Sequence, residues 1–415
     1  MNPRLLPILL LLTPVWGQTL TPVWVETGVD GQALARVVVN QPADCPAIDI
    51  DDASRTMTPR TPVPEGLKPA CEIVLPAGAR SATARLSDAV QTLALPHVDP
   101  AHVIVLGDTG CRIKGARVQD CNDPPQWPFP QVSAGAAAAK PDLVIHVGDY
   151  LYREDPCPAD KQQECAGTPS GDNWNTWNAD FFEPAAKLLA AAPWAFARGN
   201  HEDCKRAWRG WFYYLDPRPW PAAGCLVYSP PYLVRLGKFE LFMLDSSAAN
   251  ENQLDPAQMN EFAAQLSSLH PANAWLVDHH PFWGFRTDEN GGDVPPTPIT
   301  AVLSAAWDKA KPTGITMILS GHVHLFEWLN FDARPPQLVA GDGGTMLAAA
   351  LPQSLNGIPV EGGAMVSGQS RHEFGYTVLD RSGAKWKLDL KNPTGQTLAE
   401  CAIESGHASC KPAAK

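Results

Sequence analysis

Five short polar motifs, each placed directly after a strand-like apolar run, constrain this chain more than any other feature of it. They read Gly107-Asp108-Thr109-Gly110, Gly148-Asp149-Tyr150-Leu151-Tyr152, Gly199-Asn200-His201-Glu202, His279-His280-Pro281 and Gly321-His322-Val323-His324. A strand that ends in a polar residue delivers it to the carboxyl edge of a sheet, where layered α/β domains build their sites. Nothing in fold-making calls for this set of aspartate, asparagine and histidine. Carboxylate and amide oxygens mixed with imidazole nitrogens suit hard and borderline metal ions rather than thiophilic ones. Six or seven donors exceed the needs of one tetrahedral ion, so the set implies two adjacent ions, the arrangement of two-metal hydrolysis.

The intervening sequence supports such a domain. Strands are predicted at Val103–Leu106, Leu143–Val147, Trp194–Ala197, Trp275–Val277, Ile315–Leu319 and Gln337–Ala340, with a hairpin over Leu233–Leu244 that turns at Gly237-Lys238. Pro184 starts a predicted helix to Ala192, and Asp255-Pro256 starts another whose apolar face is Met259, Phe262, Ala263, Leu266 and Leu269. Short strands with an Arg381-Ser382-Gly383 turn follow over 373–403. Residues 18–98 differ, with β-branched stretches between Pro/Gly-rich turns and no helical period. They read as a small β-sandwich-like module, with 99–415 as the catalytic domain and Pro96–Pro100 as the linker.

Composition narrows the classes. Net charge is −12 and there is no polybasic run, which excludes a dedicated nucleic-acid surface. Arg4, the apolar Leu5–Leu12 run and the small residues before Gln18 read as a signal peptide over 1–17, too short to span a bilayer. No other run could span one. The ten cysteines all follow that segment, which places the chain in an oxidising compartment, periplasmic or secreted. Their grouping favours sequential disulfides: 45–71, 111–121, 157–165, 204–225 and 401–410.

The series GDxG, GDxxY, GNH(D/E), HxP and GHxH resembles the calcineurin-like metallophosphoesterase superfamily over roughly residues 100–345. Tyr152, three residues after the second aspartate, is similar to the purple acid phosphatases within it. The resemblance implies a four-layer α/β/β/α sandwich holding Fe(III) and a divalent ion (Fe, Zn or Mn). Asp108, Asp149, Tyr152 and His324 would hold the first ion. Asp149 would bridge to the second, held also by Asn200, His279 and His322. A metal-bound hydroxide would then attack the phosphorus of a small phosphate ester. Spacing alone leaves His279 and His280 open as the ligand; the HxP arrangement favours His279. His201 is implied as the acid or the donor to a phosphate oxygen, against a role in merely orienting its loop.

Other residues carry two readings each. His146, in mid-strand, reads as a packing histidine, and Asp245-Ser246-Ser247 as a turn or site-lining loop. Trp174, Trp177, Trp208, Trp211, Phe212 and Tyr213 line a pocket or fill a core. Arg153, Arg198 and Arg209 are candidate phosphate clamps. Small mammalian purple acid phosphatases carry a further histidine nine residues beyond the HxP ligand; here Asp288 stands there. His201, His280 or Glu289 would then supply the proton to the leaving group. Three functions follow: an exported phosphomonoesterase, a phosphodiesterase or nucleotide-hydrolysing enzyme on the same site, and a metal-stabilised binding protein.

Overall fold

The computed structural model describes residues 19–86, 89–251, 253–287, 297–360, 363–364, 367–383, 385–404 and 407–412. The leader at 1–17 and the Asp288–Glu289 positions lie outside the described residues.

Strands His102–Leu106, Leu143–His146 and Trp194–Phe196 pair in parallel and form the middle of an eleven-stranded sheet. Strands Phe239–Met243, Ala274–Val277, Ile315–Ser320 and Gln337–Ala340 pair in parallel within a seven-stranded sheet. Their near-continuous apolar sequences are those of strands covered on both faces. Alternation divides them between layers. Val103, Val105, Leu143 and Ile145 meet Leu241, Val277, Leu319 and Leu338 in the core between the sheets. Ile104, Leu106 and Val144 face outward onto Phe129, Val132 and Leu188. On the other side Phe242, Leu276 and Ile318 face Phe262, Leu266 and Leu303. The order is helix, sheet, sheet, helix.

The helices begin where local chemistry allows. Asp255 caps Pro256–Leu266 by accepting from Ala257 N at 2.8 Å and Gln258 N at 3.2 Å, with proline in the first turn, where its missing N–H costs nothing. Helix Glu183–Ala191 likewise has proline in its first turn.

The N-terminal strands form a sandwich that shares a leaf with the helix, sheet, sheet, helix layers. Trp24–Thr27, Ala33–Val38, Ala70–Leu75 and Thr58–Pro59 extend the large sheet beyond Trp194–Phe196, and Glu26 is in register with Trp194. The opposing leaf is a four-stranded sheet that includes Ala47–Ile50 and Ala82–Arg85. Val25, Val37, Ile48 and Ala84 fill the space between. All five disulfides pair sequentially, as expected: 45–71, 111–121, 157–165, 204–225 and 401–410. No helix among the described residues is long and apolar enough to cross a membrane.

Candidate metal centre

The polar motifs follow their strands at one edge of the sandwich, three of them through residues of positive φ. Asp108 and Asp149 adopt left-handed backbone conformations (φ 54° and 62°), as does His322 (φ 70°). Gly148 before Asp149 has φ 100°, and a Cβ there would sit 2.6 Å from His279 Nδ1, so a side chain is excluded on both counts. A Cβ on Gly199 would approach the Asp149 carboxylate to 2.0 Å. These turns interlock: Asp108 N donates to Gly148 O at 3.0 Å and Thr109 N to Asp149 O at 3.1 Å. His322 N, from the second sheet, donates to Asp108 Oδ2 at 2.9 Å. The buried Glu202 carboxylate ties the second and third motifs together, accepting from the backbone N–H groups of Asp149, Tyr150, Leu151 and Gly199.

The seven donors named from the sequence come together in two groups around Asp149. The Tyr152 hydroxyl lies 2.9 Å from Asp108 Oδ1, 2.8 Å from Asp149 Oδ2 and 2.9 Å from His324 Nε2. Asn200 Oδ1 lies 3.0 Å from His279 Nε2 and 3.0 Å from His322 Nδ1, and His279 Nε2 is 3.2 Å from Asp149 Oδ2.

The proton inventory fits cations. One hydroxyl hydrogen on Tyr152 cannot serve three acceptors. His279 Nδ1 faces Val147 O at 2.8 Å and His324 Nδ1 faces Met346 O at 2.8 Å, both acceptors only, so each ring places its proton there and turns the Nε2 lone pair inward. His322 Nε2 faces the Glu251 carboxylate at 3.1 Å, which leaves its Nδ1 lone pair toward Asn200. Lone pairs therefore converge in two clusters that share a carboxylate, the donor chemistry of two adjacent ions.

Electrostatics follow from burial. Desolvation raises the Asp108 carboxyl to about 8, against the pull of His279. For Asp149 desolvation also acts upward, but the His279 and His201 imidazoles outweigh it and hold the carboxyl well below its usual range. Desolvation would lower His279, yet Asp149 overrides it and holds the imidazole up at about 10. A proton on His279 Nε2 and an ion at that position are alternative ways to balance Asp149, and the Nε2 lone pair is offered only in the second case.

His201 is buried beside this set. Its Nδ1 is 2.7 Å from Glu154 Oε1, its Nε2 is 3.8 Å from Asp149 Oδ2, and its ring centre is 3.8 Å from that of Tyr152. His280 is buried against His322, ring centres 4.2 Å apart, and its Nδ1 has no partner among the described residues. Glu251, His280 and His322 make a second group with metal-ligand spacing beside Asp149, His279 and His322. Ser246 Oγ accepts from His279 N at 3.0 Å and His280 N at 2.9 Å, so its loop lines the site. His146 stacks on Tyr150 with ring centres 4.0 Å apart, in the packing role expected of it.

Two open readings fall on the structural side. The arginines proposed as phosphate clamps are committed elsewhere: Arg153 to Asp180 at 2.6 Å, Arg198 to Asp245 at 3.0 Å and Arg209 to Asp172 at 3.2 Å. The aromatic cluster is core rather than pocket wall, since Trp177, Trp211, Phe212 and Tyr213 are buried in the layer outside the large sheet. Glu251, Glu154 and Arg112 were missed: tertiary proximity alone brings Glu251 to the site, and Glu154 and Arg112 each stand two residues past a motif, outside its pattern. Only Glu202 carried a local signal, through its place in the third motif.

A family model described as calcineurin-like phosphoesterase matches residues 90–326. No curated protein matches. Among solved structures, that of PhoD is similar at 12% identity with a TM-score of 0.60, covering 97% of this chain and 94% of that one. A purple acid phosphatase, PPD1 from yellow lupin (Lupinus luteus) seeds, is similar at 13% identity with a TM-score of 0.54, covering 92% and 73%. Both likenesses lie in the fold.

Proposed function

The chain belongs to the calcineurin-like phosphoesterase family, and from that premise we propose that it is an exported dinuclear-metal phosphatase acting on small phosphate monoesters. The observation that carries the reading is the convergence of Asp108, Asp149, Tyr152, Asn200, His279, His322 and His324 into two lone-pair clusters sharing Asp149. Asp108, Asp149, Tyr152 and His324 would hold one ion, and Asp149, Asn200, His279 and His322 the other. Bound there, the ions would supply Lewis-acid charge to the phosphoryl oxygens and acidify water. A phenolic ligand favours a trivalent ion at the first position, so Fe(III) beside Fe, Zn or Mn is proposed.

The remaining work falls to the chain's own residues. With Glu154 accepting at Nδ1, His201 carries a proton on Nε2 only as the imidazolium; that form, supported by the Glu154 carboxylate, would donate to the leaving group or to a phosphate oxygen. The Val147 and Met346 carbonyls and Glu251 fix the three ligand imidazoles in their tautomers. Five disulfides in the fold support export, through the leader read at residues 1–17.

The test is hydrolysis by purified protein of p-nitrophenyl phosphate beside bis-p-nitrophenyl phosphate, with metal analysis of the same sample. Preference for the monoester with two ions per chain is the expected result. Preference for the diester would assign the same site to a phosphodiesterase, and inertness on both esters with ions bound would overturn the enzymatic reading.

A further inference from the structure

Among the described residues, one basic side chain at the site has no acidic partner. Lys114 and Arg206 pair with Glu154, and Arg286 with Glu251. Arg112 differs. Its Cζ stands 5.1 Å from the centroid of the Tyr152 ring, and its Nε is buried with no hydrogen-bond partner among the described residues. No described carboxylate forms an ion pair with it.

Its backbone is held firmly. Arg112 N donates to Gln119 Oε1 at 3.0 Å, and the same oxygen accepts from Met346 N at 3.0 Å. Met346 O in turn faces His324 Nδ1. The Gln119 amide therefore registers the Arg112 loop against the His324 side of the site. The Cys111–Cys121 disulfide closes the same loop from the adjacent residue. This much fixation of a cation that forms no ion pair requires a reason.

Electrostatics supply one. A half-buried guanidinium beside a site built for two cations adds positive charge where it is least welcome. Stacking on the Tyr152 ring offsets only part of that cost. A dianionic tetrahedral group would offset the rest, and the planar fork of arginine matches two of its oxygens.

We propose that Arg112 binds the terminal phosphoryl oxygens of the substrate on the Tyr152–His324 side of the metal pair and so selects monoesters over diesters. The assignment rests on the phosphoesterase reading above. A monoester presents three terminal oxygens and up to two negative charges to this cation; a diester presents two oxygens and one charge.

The experiment compares metal-loaded wild type with R112M and R112K. It reads inorganic phosphate affinity by calorimetry, metal content, thermal stability, and kcat/KM on p-nitrophenyl and bis-p-nitrophenyl phosphate. Loss of a charge-assisted contact should weaken phosphate binding by about 10- to 100-fold in R112M. R112K, with its compact ammonium in place of the fork, should lose less. The monoester-to-diester ratio of kcat/KM should fall in both. If R112M sheds its ions, R112K carries the test. Wild-type phosphate affinity in a fully loaded variant overturns the assignment even if stability drops, because that pattern means a stack on Tyr152 and nothing more. An unchanged monoester-to-diester ratio overturns it as well. Wild type that neither binds phosphate nor cleaves either ester overturns the phosphoesterase reading itself, and this assignment with it.

Discussion

At the scale of single residues, Asp149 and Glu251 make different predictions because they touch different parts of the centre. Asp149 Oδ2 meets both the Tyr152 hydroxyl and His279 Nε2, so its carboxylate serves both donor clusters. Asp149→Ala should lose both ions and the activity together; metal analysis finding two tightly held ions would contradict the bridging role. Of the seven donors Glu251 meets His322, through Nε2. Glu251→Gln should keep the fold and weaken metal affinity or activity by about 10- to 100-fold, the usual cost of removing the partner behind a ligand histidine. Titration with a competing chelator measures this, and wild-type affinity would reject it. Tyr152→Phe should abolish any phenolate-to-iron absorption band, which a visible spectrum reads directly. The donors themselves were legible because each follows a strand and sits in a motif. Glu251 and Arg112 were not, since their meaning comes from rings that the fold brings to them from distant sequence.

At the scale of elements, legibility followed contrast between polar and apolar residues. The helix Pro256–Leu266 has a capping aspartate and a clear apolar face, and it stands where the sequence placed it. Phe129–Ala138 was missed: six of its residues are alanine, glycine or serine, so its buried Phe129, Val132, Ser133 and Ala136 barely stand out from the exposed face. Strand Phe326–Asn330 was also missed, because it interrupts its apolar run with Glu327 and Asn330, both buried. Glu327 makes a testable element of this strand. Desolvation raises its carboxyl to about 8; one oxygen accepts from Phe285 N at 3.1 Å and the other has no partner among the described residues. The folded state therefore favours the protonated acid. Its stabilising contribution is complete below the unfolded value near 4.5 and is lost as pH rises to about 8. Glu327→Gln mimics the neutral acid at every pH. Melting temperatures of variant and wild type should nearly coincide at pH 5, with wild type falling a few degrees behind by pH 8. A gap independent of pH would mean that the carboxyl ionises freely in the fold.

At the scale of the whole molecule, the composition shift near residue 98 suggests a separable module, and the hydrogen bonding argues that the two parts depend on each other. Trp24–Thr27 extends the sheet whose middle is His102–Leu106, Leu143–His146 and Trp194–Phe196, and Thr27 Oγ1 donates to Trp194 O at 3.0 Å. Arg36, fully buried, is 2.8 Å from Glu26 and donates to the carbonyls of Tyr214 and Asp216 at 3.0 and 2.8 Å. The Tyr213 hydroxyl accepts from Ala70 N and donates to Arg60 O. The N-terminal strands thus cover the free edge of Trp194–Phe196 and hold the aromatic segment that follows the third polar motif. Strand edges left open invite pairing with other chains, and an uncovered Trp194 would add apolar surface to the invitation. A chain beginning at residue 99 should therefore express as aggregate, or fold without cooperative melting. The full chain with Arg36→Met should instead stay folded but lose stability, because Glu26 and the two carbonyls would then be buried without their cation. Calorimetry and size-exclusion chromatography of both proteins decide the matter. A monomeric, cooperatively melting 99–415 fragment with the metal content of the full chain would show that the sandwich is an appendage, and that the edge carrying the polar motifs needs nothing from it.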